Sequence, residues 1–396
     1  SLSRHGSDWQ EIWIRRTSTK ENYPEVIQWC RFSKAAWLPT QEGFYYARYP
    51  EPNTVPEEDR VNYCRVYLHK VGTDQKEDSL IYERSDQKEL GFDPFVTEDG
   101  KYLLLYVYHG TDPENRMYYR SLEGDGQIIR LLDEADARYV FMGNVGTIFY
   151  FHTTLQAARG RIVAIDINHP ERDHWQEILP ERQEVIESAQ LVNQHLVVTY
   201  LKDVQNQIHI FDLTGAFQKE IPMPCPGTVA WLSGKQNDPE LFFSFTSFLY
   251  PPTIYTYDFR KDSLTVFRRP EVDLDASAYE IHQVFYNSKD GTQIPMFIVH
   301  RKNIQQNENN PTLLYAYGGF GVSLLPWFSV STIEWLKMGG VYAVANIRGG
   351  GEYGEDWHRA GMLQNRQNVF DDFIGAAKWL IENQYTRPSR LAIQGG

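Results

Sequence analysis

Three segments in the last third of the chain carry residue types that suit acyl-transfer chemistry. The first is Tyr315-Ala316-Tyr317-Gly318-Gly319-Phe320-Gly321, which follows a short apolar run. Glycine lets a backbone or a neighbouring hydroxyl approach a reacting group closely, and a developing oxyanion needs preorganised hydrogen-bond donors. The segment therefore predicts an oxyanion-stabilising loop, and an ordinary glycine-rich turn with aromatic packing is the alternative.

The second segment closes the sequence, where Gly395 and Gly396 follow the apolar run Leu391-Ala392-Ile393. In an α/β-hydrolase the nucleophilic serine sits on a sharp turn between a strand and a helix, within G-x-S-x-G. We interpret Gly395 and Gly396 as the beginning of such a nucleophile elbow, with serine as the next residue. The chain is then expected to be an internal piece of a longer protein, inactive by itself because the catalytic Ser, Asp and His would lie beyond it.

The third segment, Asn346-Ile347-Arg348-Gly349-Gly350-Gly351-Glu352-Tyr353-Gly354, contains the spacing G-x-G-x-x-G. That spacing binds dinucleotides when a helix begins at it and points its N-terminus at the pyrophosphate. We predict the next clear helix only after His358, so a tight loop that shapes a pocket is favoured and no cofactor is expected. We interpret His358 as structural, since hydrolases of this kind place their histidine after the serine.

The elements that must position these segments alternate between strand and helix. Residues 312–315 and 341–346 are apolar enough for buried strands, and residues 368–383 place six apolar side chains on one helical face. Such alternation predicts a parallel sheet covered on both faces. We therefore assign residues 276–396 to part of an α/β-hydrolase domain, which opens with a hairpin around Ser288–Gly291.

Residues 1–275 have a different texture, in which pairs of strand-like runs recur. The spacing between pairs is roughly 45 to 55 residues, close to the period of one four-stranded propeller blade. The sequence predicts a β-propeller with about five blades and a partial blade at residues 8–14, incomplete at its N-terminus. Three of the second runs end at an acidic residue followed by a turn, at Asp166, Asp212 and Asp258. A β-sandwich with regular hairpins is the alternative.

Composition narrows the function classes. The 396 residues carry a formal net charge of -13, which argues against binding to nucleic acid. The three cysteines are far apart and no C-x-x-C or H-E-x-x-H spacing occurs, so neither a metal site nor a disulfide framework is expected. A reducing, cytoplasmic location fits that cysteine usage. The sequence has no apolar run of the length that spans a membrane, so no membrane association is expected.

Several runs together closely resemble the prolyl oligopeptidases, a family of serine peptidases that cut short peptides after proline. The strongest are Tyr315–Phe320, Met338–Gly354 and Phe370-Asp371-Asp372-Phe373. Shorter similar runs are Gly6-Ser7-Asp8-Trp9, Asp112-Pro113-Glu114-Asn115-Arg116 and Ser288-Lys289-Asp290-Gly291-Thr292. The resemblance extends over the whole chain.

The resemblance implies a seven-bladed propeller that caps an α/β-hydrolase domain, with the active site in the cavity between them. It implies that the Tyr317 hydroxyl serves the oxyanion hole, with the N–H after the serine as second donor. Phe320 matches a wall of the proline pocket, and Phe32 a propeller phenylalanine that lines the substrate cavity. The sequence departs from better-known members at Tyr108 and Thr111, where they carry an arginine and a cysteine near the substrate.

The resemblance also implies short proline-containing peptides as substrates and a monomeric parent protein. Two alternatives remain open at this point. One is an oligopeptidase B-like enzyme that cleaves after basic residues, and the other is a catalytically dead propeller scaffold that binds partners. A serine encoded after Gly396 would favour a peptidase, and an alanine or glycine there would favour the scaffold.

Overall fold

A computed structural model describes residues 1–124 and 126–396. The chain up to Arg268 forms six sheets, and in each sheet the strands are neighbours in the order in which they occur in the sequence. The first sheet has three strands: β1 (Leu2–Ser3), β2 (Trp9–Arg15) and β3 (Asn22–Arg31). The second has β4 (Ala36–Trp37), β5 (Gly43–Arg48), β6 (Arg65–Lys70) and β7 (Ser79–Glu83).

The next four sheets have four strands each, so five four-stranded sheets follow the three-stranded one. They comprise β8 (Leu90–Val96), β9 (Tyr102–His109), β10 (Arg116–Ser121) and β11 (Ile129–Leu132), then β12 (Tyr139–Val145), β13 (Ile148–Thr153), β14 (Arg161–Asp166) and β15 (Gln176–Leu179). The last two comprise β16 (Val185–Val192), β17 (His195–Lys202), β18 (Gln205–Phe211) and β19 (Phe217–Ile221), then β20 (Thr228–Ser233), β21 (Glu240–Ser247), β22 (Tyr250–Asp258) and β23 (Ser263–Arg268).

The recurring acidic residues have a shared structural cause. Asp166, Asp212 and Asp258 each stand where the third strand of a sheet ends. The carboxylate of each accepts a hydrogen bond from a backbone N–H two residues later, at 3.0, 2.9 and 2.9 Å respectively. This local bond is the Asx turn, which reverses the chain at low cost. The repeat noticed in the sequence is therefore a repeated turn between the third and fourth strands.

The chain after Asp275 builds a different sheet. Its strands are β24 (Tyr279–Asn287), β25 (Gln293–Arg301), β26 (Thr312–Tyr315), β27 (Val341–Ala345) and β28 (Leu391–Gln394), in the spatial order β24-β25-β27-β26-β28. The first three neighbours in that order are antiparallel, and β26 is parallel to both β27 and β28. Three helices accompany the sheet: α1 (Val330–Lys337), α2 (Glu355–Arg359) and α3 (Arg366–Glu382).

Helix α3 buries the face that its apolar spacing predicts. Val369, Ala376 and Leu380 are buried against the sheet core, which includes Ile298 and Leu314. Asp372 lies on that same buried face with no exposed surface. Its carboxylate pairs with Arg348, a buried residue of the glycine-rich segment.

The chain divides into two compact units. The first comprises Ser1–Leu155 and Ala164–Gln176, and the second comprises Gln156–Val163 and Glu177–Gly396. Within the described ranges, none of the helices has the length and apolar character needed to cross a membrane.

Candidate active site

The three segments whose residues suit acyl-transfer chemistry meet at the carboxyl ends of the parallel strands in the second unit. Strand β26 is central, with β27 on one side and β28 on the other, and Tyr315 is level with both Val344 and Gln394. The chain leaves β26 toward β27 and later returns to β28 on the opposite side. Such a switch in strand order opens a crevice at the carboxyl edge, where α/β proteins bind their ligands.

The loop after β26 has a backbone that ordinary side chains rarely adopt. Gly318, Phe320 and Gly321 have φ values of 66°, 54° and 64°. The carbonyl oxygen of Gly318 accepts a hydrogen bond from the Arg366 guanidinium at 2.6 Å. A Cβ on Gly318 would lie 2.7 Å from side-chain carbons of Ile347 and Val369. Glycine is therefore required there by both backbone conformation and space.

The glycine-rich segment packs directly against this loop. The N–H of Gly321 donates to the carbonyl oxygen of Gly349 at 3.0 Å. Gly349 has a φ of 92°, and a Cβ on it would lie 2.6 Å from the carbonyl oxygen of Gly318. A Cβ on Gly351 would collide with the carbonyl oxygen of Gly321. The two glycines thus permit the close approach of two backbones.

One expectation about this segment is wrong. Helix α2 begins at Glu355, immediately after Gly354, and not downstream of His358. The absence of a following helix therefore gives no reason to reject a dinucleotide site. The better reason is steric, since the space beside Gly349 and Gly351 is taken by the 318–321 loop.

Glu352 is a buried carboxyl group at the centre of this assembly, and its side chain was not singled out from the sequence. It is 2% exposed, and one of its oxygens accepts a hydrogen bond from the N–H of Leu324 at 2.9 Å. The amide of Asn346 donates to the carbonyl oxygen of Leu324 at 2.6 Å. Burial raises the pKa of Glu352 to about 7. A charged residue inside a run of glycines was the available signal.

Tyr317 and Phe320 both lie in the loop after β26, as the sequence predicted. The Tyr317 side chain is half-buried, and its hydroxyl makes no hydrogen bond to any residue that the structure describes. Phe320 is 75% exposed in spite of its size. A bulky residue with a left-handed backbone costs about 1–3 kcal/mol and persists only where its surroundings hold it. Phe320 is therefore presented outward by the glycines around it.

Gly395 and Gly396 lie next to the beginning of the same loop. The N–H of Ala316 donates to the carbonyl oxygen of Gln394 at 3.3 Å. A Cβ built on Gly395 would lie 3.2 Å from the carbonyl oxygen of Ala316. The residues that follow β28 are thus brought beside the residues that follow β26, which places the two predicted segments at one edge.

Phe32 belongs to the first unit. It follows β3 with a φ of 51° and is 61% exposed. The Arg31 guanidinium lies 5.2 Å from the centre of its ring, and Arg31 pairs with Asp8 at 2.7 Å. Like Phe320, Phe32 is a large aromatic residue exposed on a strained backbone.

His358 lies in α2 and is half-buried. Its Nδ1 is 3.3 Å from a carboxylate oxygen of Glu355, which also accepts a hydrogen bond from Arg359 at 3.0 Å. These contacts lie within one helix and support the structural interpretation of this histidine.

Among the described residues, two groups of side chains have the donor types that metal ions prefer. His169, Glu171 and His174 are exposed, whereas Glu280, His282 and His300 include one buried imidazole. In each group the ligand atoms lie within 4.8 Å of one another. No short sequence spacing marks the second group, because its members lie on two neighbouring strands, β24 and β25. Burial lowers the pKa of His300, which keeps its imidazole neutral and able to bind a cation.

Comparison with known families gives two matches that together cover most of the chain. Residues 1–270 match a model described as "Prolyl oligopeptidase, N-terminal beta-propeller domain". Residues 326–396 match one described as "Prolyl oligopeptidase family". These matches confirm the predicted fold class, a β-propeller of about five blades with part of an α/β-hydrolase domain.

Individual proteins are similar along the whole chain. The prolyl endopeptidase of Elizabethkingia miricola is 36% identical over 399 residues, and that of Elizabethkingia meningoseptica is 35% identical over 398. Each comparison covers 100% of this chain and 56% of the relative. The prolyl endopeptidase of Dictyostelium discoideum is 33% identical, with 59% of its length covered. The chain therefore spans a little over half the length of these relatives.

Solved structures agree. A chain from a structural and mechanistic analysis of two prolyl endopeptidases has a TM-score of 0.93 at 36% identity, covering 99% of this chain and 58% of that one. Prolyl oligopeptidase B from Galerina marginata, bound to a 25mer macrocyclization substrate, has a TM-score of 0.92 at 31% identity. That comparison covers 98% of this chain and 57% of the other.

Proposed function

Since this chain belongs to the prolyl oligopeptidase family, we propose that the complete protein is a serine peptidase that cleaves short peptides on the carboxyl side of proline. The proposal concerns the complete protein, because the chain spans 56% of the prolyl endopeptidases to which it is similar.

The observation that carries the proposal is the juxtaposition of two loops. Tyr315 and Gln394 are level on adjacent parallel strands, so Tyr317 and Gly396 each come two residues after a strand end on the same edge. Acyl transfer at a serine needs a nucleophile that reaches the carbonyl carbon and hydrogen-bond donors that face the oxygen of the same carbonyl group. A serine that follows Gly396 would stand beside the loop that carries the Tyr317 hydroxyl.

The proposed mechanism assigns one role to each part of this edge. The serine oxygen attacks the carbonyl carbon of a proline residue, and the carbonyl oxygen becomes negatively charged. The Tyr317 hydroxyl and the N–H that follows the serine donate hydrogen bonds to that oxygen. The amine leaves, an acyl-enzyme forms, and water releases the acid. The catalytic Asp and His come from the part of the protein after Gly396.

Substrate recognition is assigned to aromatic side chains. Phe320 forms a wall of the proline pocket, because an exposed ring beside the oxyanion donor can pack on the pyrrolidine ring of the substrate. Phe32 contacts the substrate from the propeller.

We also place the boundary between propeller and catalytic domain at residues 275 and 276, between the last four-stranded sheet and the mixed sheet. We further propose that the complete protein is a monomer. We also propose that it works in a reducing, cytoplasmic compartment, because its three cysteines are free.

The experiment begins with the coding sequence after Gly396. A serine codon at the next position, followed by labelling of that serine by a fluorophosphonate in the expressed complete protein, is the expected result. Alanine or glycine at that position would contradict the peptidase and favour a catalytically dead scaffold that binds partners.

Specificity needs a second measurement on the same protein. Two fluorogenic peptides that differ only by proline or arginine before the scissile bond separate the proposed enzyme from an oligopeptidase B-like one. We expect cleavage after proline with kcat/KM at least a hundredfold above cleavage after arginine. The reverse ratio would favour the oligopeptidase B-like alternative, which cleaves after basic residues.

A further inference from the structure

A cavity of about 620 Å³ lies in the first unit. Its volume is in the range of ligand pockets, about 300–1,000 Å³. Four aromatic rings line it, those of Trp29, Tyr49, Tyr63 and Tyr67, together with the Arg48 guanidinium. All belong to strands β3, β5 and β6 or to the segment between β5 and β6.

Arg48 is the feature that marks this cavity. Its guanidinium carbon lies 4.1 Å from the centre of the Tyr67 ring and 5.6 Å from that of Trp29. Among residues 1–124 and 126–396, that guanidinium has no hydrogen-bond acceptor and no ion-pair partner. Ring stacking leaves the N–H groups at its edge available, and a carboxylate can accept two of them at once.

Two of the other charged groups of the cavity already have partners. Arg65 donates to Glu83 at 2.7 Å, and Asp59 accepts from Lys88 at 2.8 Å. Of the two arginines that line the cavity, Arg48 is therefore the one without a carboxylate partner among the described residues.

The walls are held in an unusual backbone conformation. Trp29 and Tyr63 have φ values of 61° and 58°, which large residues adopt rarely. The N–H of Tyr49 donates to the carbonyl oxygen of Trp29 at 3.0 Å, and the N–H of Tyr63 donates to that of Lys88 at 2.7 Å. Strain of this kind persists where the surroundings hold it, and it is concentrated at ligand sites.

The charge balance selects the kind of anion. The carboxylates of Glu51 and Asp59 also line the cavity, so a dianionic phosphate would meet two negative groups beside one available cation. A single carboxylate attached to an apolar body meets Arg48 at one end and the aromatic rings along its length. Pro50 and Pro56 add further apolar surface.

We propose that this cavity binds the free C-terminal carboxylate of a peptide, with the Arg48 guanidinium as the anchor. The choice of a peptide rests on the proposed peptidase function, whereas the choice of a carboxylate rests on the cavity. The site would hold the end of a peptide by its charge and its last one or two side chains.

The test uses the complete protein and isothermal titration calorimetry. The probes are acetyl-Gly-Val-Phe with a free carboxylate, which has no proline to be cleaved after, the same peptide with a C-terminal amide, and inorganic phosphate. We expect the acid to bind at least tenfold more tightly than the amide or phosphate. Equal binding of acid and amide, or tighter binding of phosphate, would overturn the proposal.

The substitution Arg48→Gln should reduce binding of the acid to the level of the amide. Arg16→Gln is the matched control, because Arg16 stacks 5.4 Å from the Tyr23 ring and does not line the cavity. If Arg48→Gln does not fold, modification by phenylglyoxal decides. The acid should slow modification of Arg48 in the unsubstituted chain, and equal rates with acid and amide would sink the proposal.

Binding is measured here without any turnover. A negative result therefore leaves the proposed peptidase function as it stands. Conversely, the absence of a nucleophilic serine in the complete protein would not alter whether Arg48 binds a carboxylate.

Discussion

The backbone N–H of Ala316 donates a hydrogen bond to the carbonyl oxygen of Gln394, which extends the pairing of two parallel strands by one step beyond Tyr315. Because of this bond, the loop that carries Tyr317 and the pair Gly395-Gly396 begin at the same level. The geometry of the candidate site is thus set by strand register and does not depend on the flexible side chains around it.

The substitution Tyr317→Phe in the complete protein tests the oxyanion role. It removes one hydroxyl and keeps the ring, so the loss should fall mainly on kcat, since this bond strengthens in the transition state. Removal of one such donor costs about 3 kcal/mol, or about a hundredfold in kcat. Tyr315→Phe is the control, because it removes a hydroxyl from the adjoining strand. Near-parental kcat in a folded Tyr317→Phe protein would end the assignment.

The fold was accessible from the sequence because its signals are local. The period of the strand pairs predicted the four-stranded sheets, and Asp166, Asp212 and Asp258 marked their turns. Local apolar patterns also predicted helix α3 and the strands β26, β27 and β28. Register was not, since no local signal says that Tyr315 is level with Gln394. The proximity of Tyr317 and Gly395 followed from the known order of hydrolase elements and from the resemblance.

The substitution Phe320→Ala tests the proline pocket against simple loop packing. Phe320 is 75% exposed, so little apolar contact is lost and the melting temperature should change by no more than a degree or two. The ratio of kcat/KM for proline over alanine should fall, because only proline gains from the ring. Val322→Ala, in the same loop and 47% exposed, should leave that ratio unchanged. A lower melting temperature with an unchanged ratio would indicate packing alone.

The substitution Gly349→Ala tests the close approach of the two loops. Gly349 and Gly339 have φ values of 92° and 88°, so alanine strains the backbone similarly at both. Only at Gly349 would the new Cβ meet a backbone oxygen, 2.6 Å away on Gly318, whereas no described atom lies within 4 Å at Gly339. Urea denaturation should show a larger loss of unfolding free energy for Gly349→Ala than for Gly339→Ala. Equal losses would mean that backbone strain alone requires glycine there.

The substitution Asp372→Asn tests the buried ion pair that holds α3 to the glycine-rich segment. Asp372 accepts from the Arg348 guanidinium at 2.6 and 3.0 Å and from the Arg348 N–H at 3.0 Å. Removing one partner of a buried pair costs about 3–5 kcal/mol. The loss here should lie near the lower value, because the Arg348 guanidinium keeps a second carboxylate partner, Asp290, at 2.5 Å. Asp371→Asn is the control, since its Lys289 partner lies 3.8 Å away at the surface and such pairs contribute about 1 kcal/mol or less. Similar unfolding midpoints for both variants would contradict this account.

These buried charges were the part of the site that sequence could not supply. Asp372 follows Asp371 directly, and nothing in the pair distinguishes the buried carboxylate from the solvated one. Arg348 and Glu352 sit within a glycine-rich run that predicts a tight loop, but the run does not say which groups their charged side chains contact. Their burial depends on chain segments up to about 60 residues away, as in the bond from Arg348 to Ser288.

Glu352 predicts a specific dependence of stability on pH. Burial raises its pKa from 4.5 to about 7 in the folded protein, and the nearby Glu187 carboxyl acts in the same direction. Between these two values the folded protein binds more protons than the unfolded chain, so stability falls as the pH rises from about 4.5 to about 7. At about 1.36 kcal/mol per pKa unit, the loss is about 3 kcal/mol near pH 7 and levels off only slightly higher at more alkaline pH.

The substitution Glu352→Gln isolates that contribution. Glutamine keeps an oxygen to accept from Leu324 and carries no charge at any pH. Thermal or urea unfolding should therefore find the variant and the parent close at pH 5, with the variant gaining relative stability up to about pH 8. Glu382→Gln, at an exposed position on α3, should show no such trend. If the difference in unfolding free energy between variant and parent stays constant from pH 5 to 8, Glu352 keeps one protonation state throughout. In that case neighbouring groups, and not a bound proton, offset the cost of burying its carboxyl group.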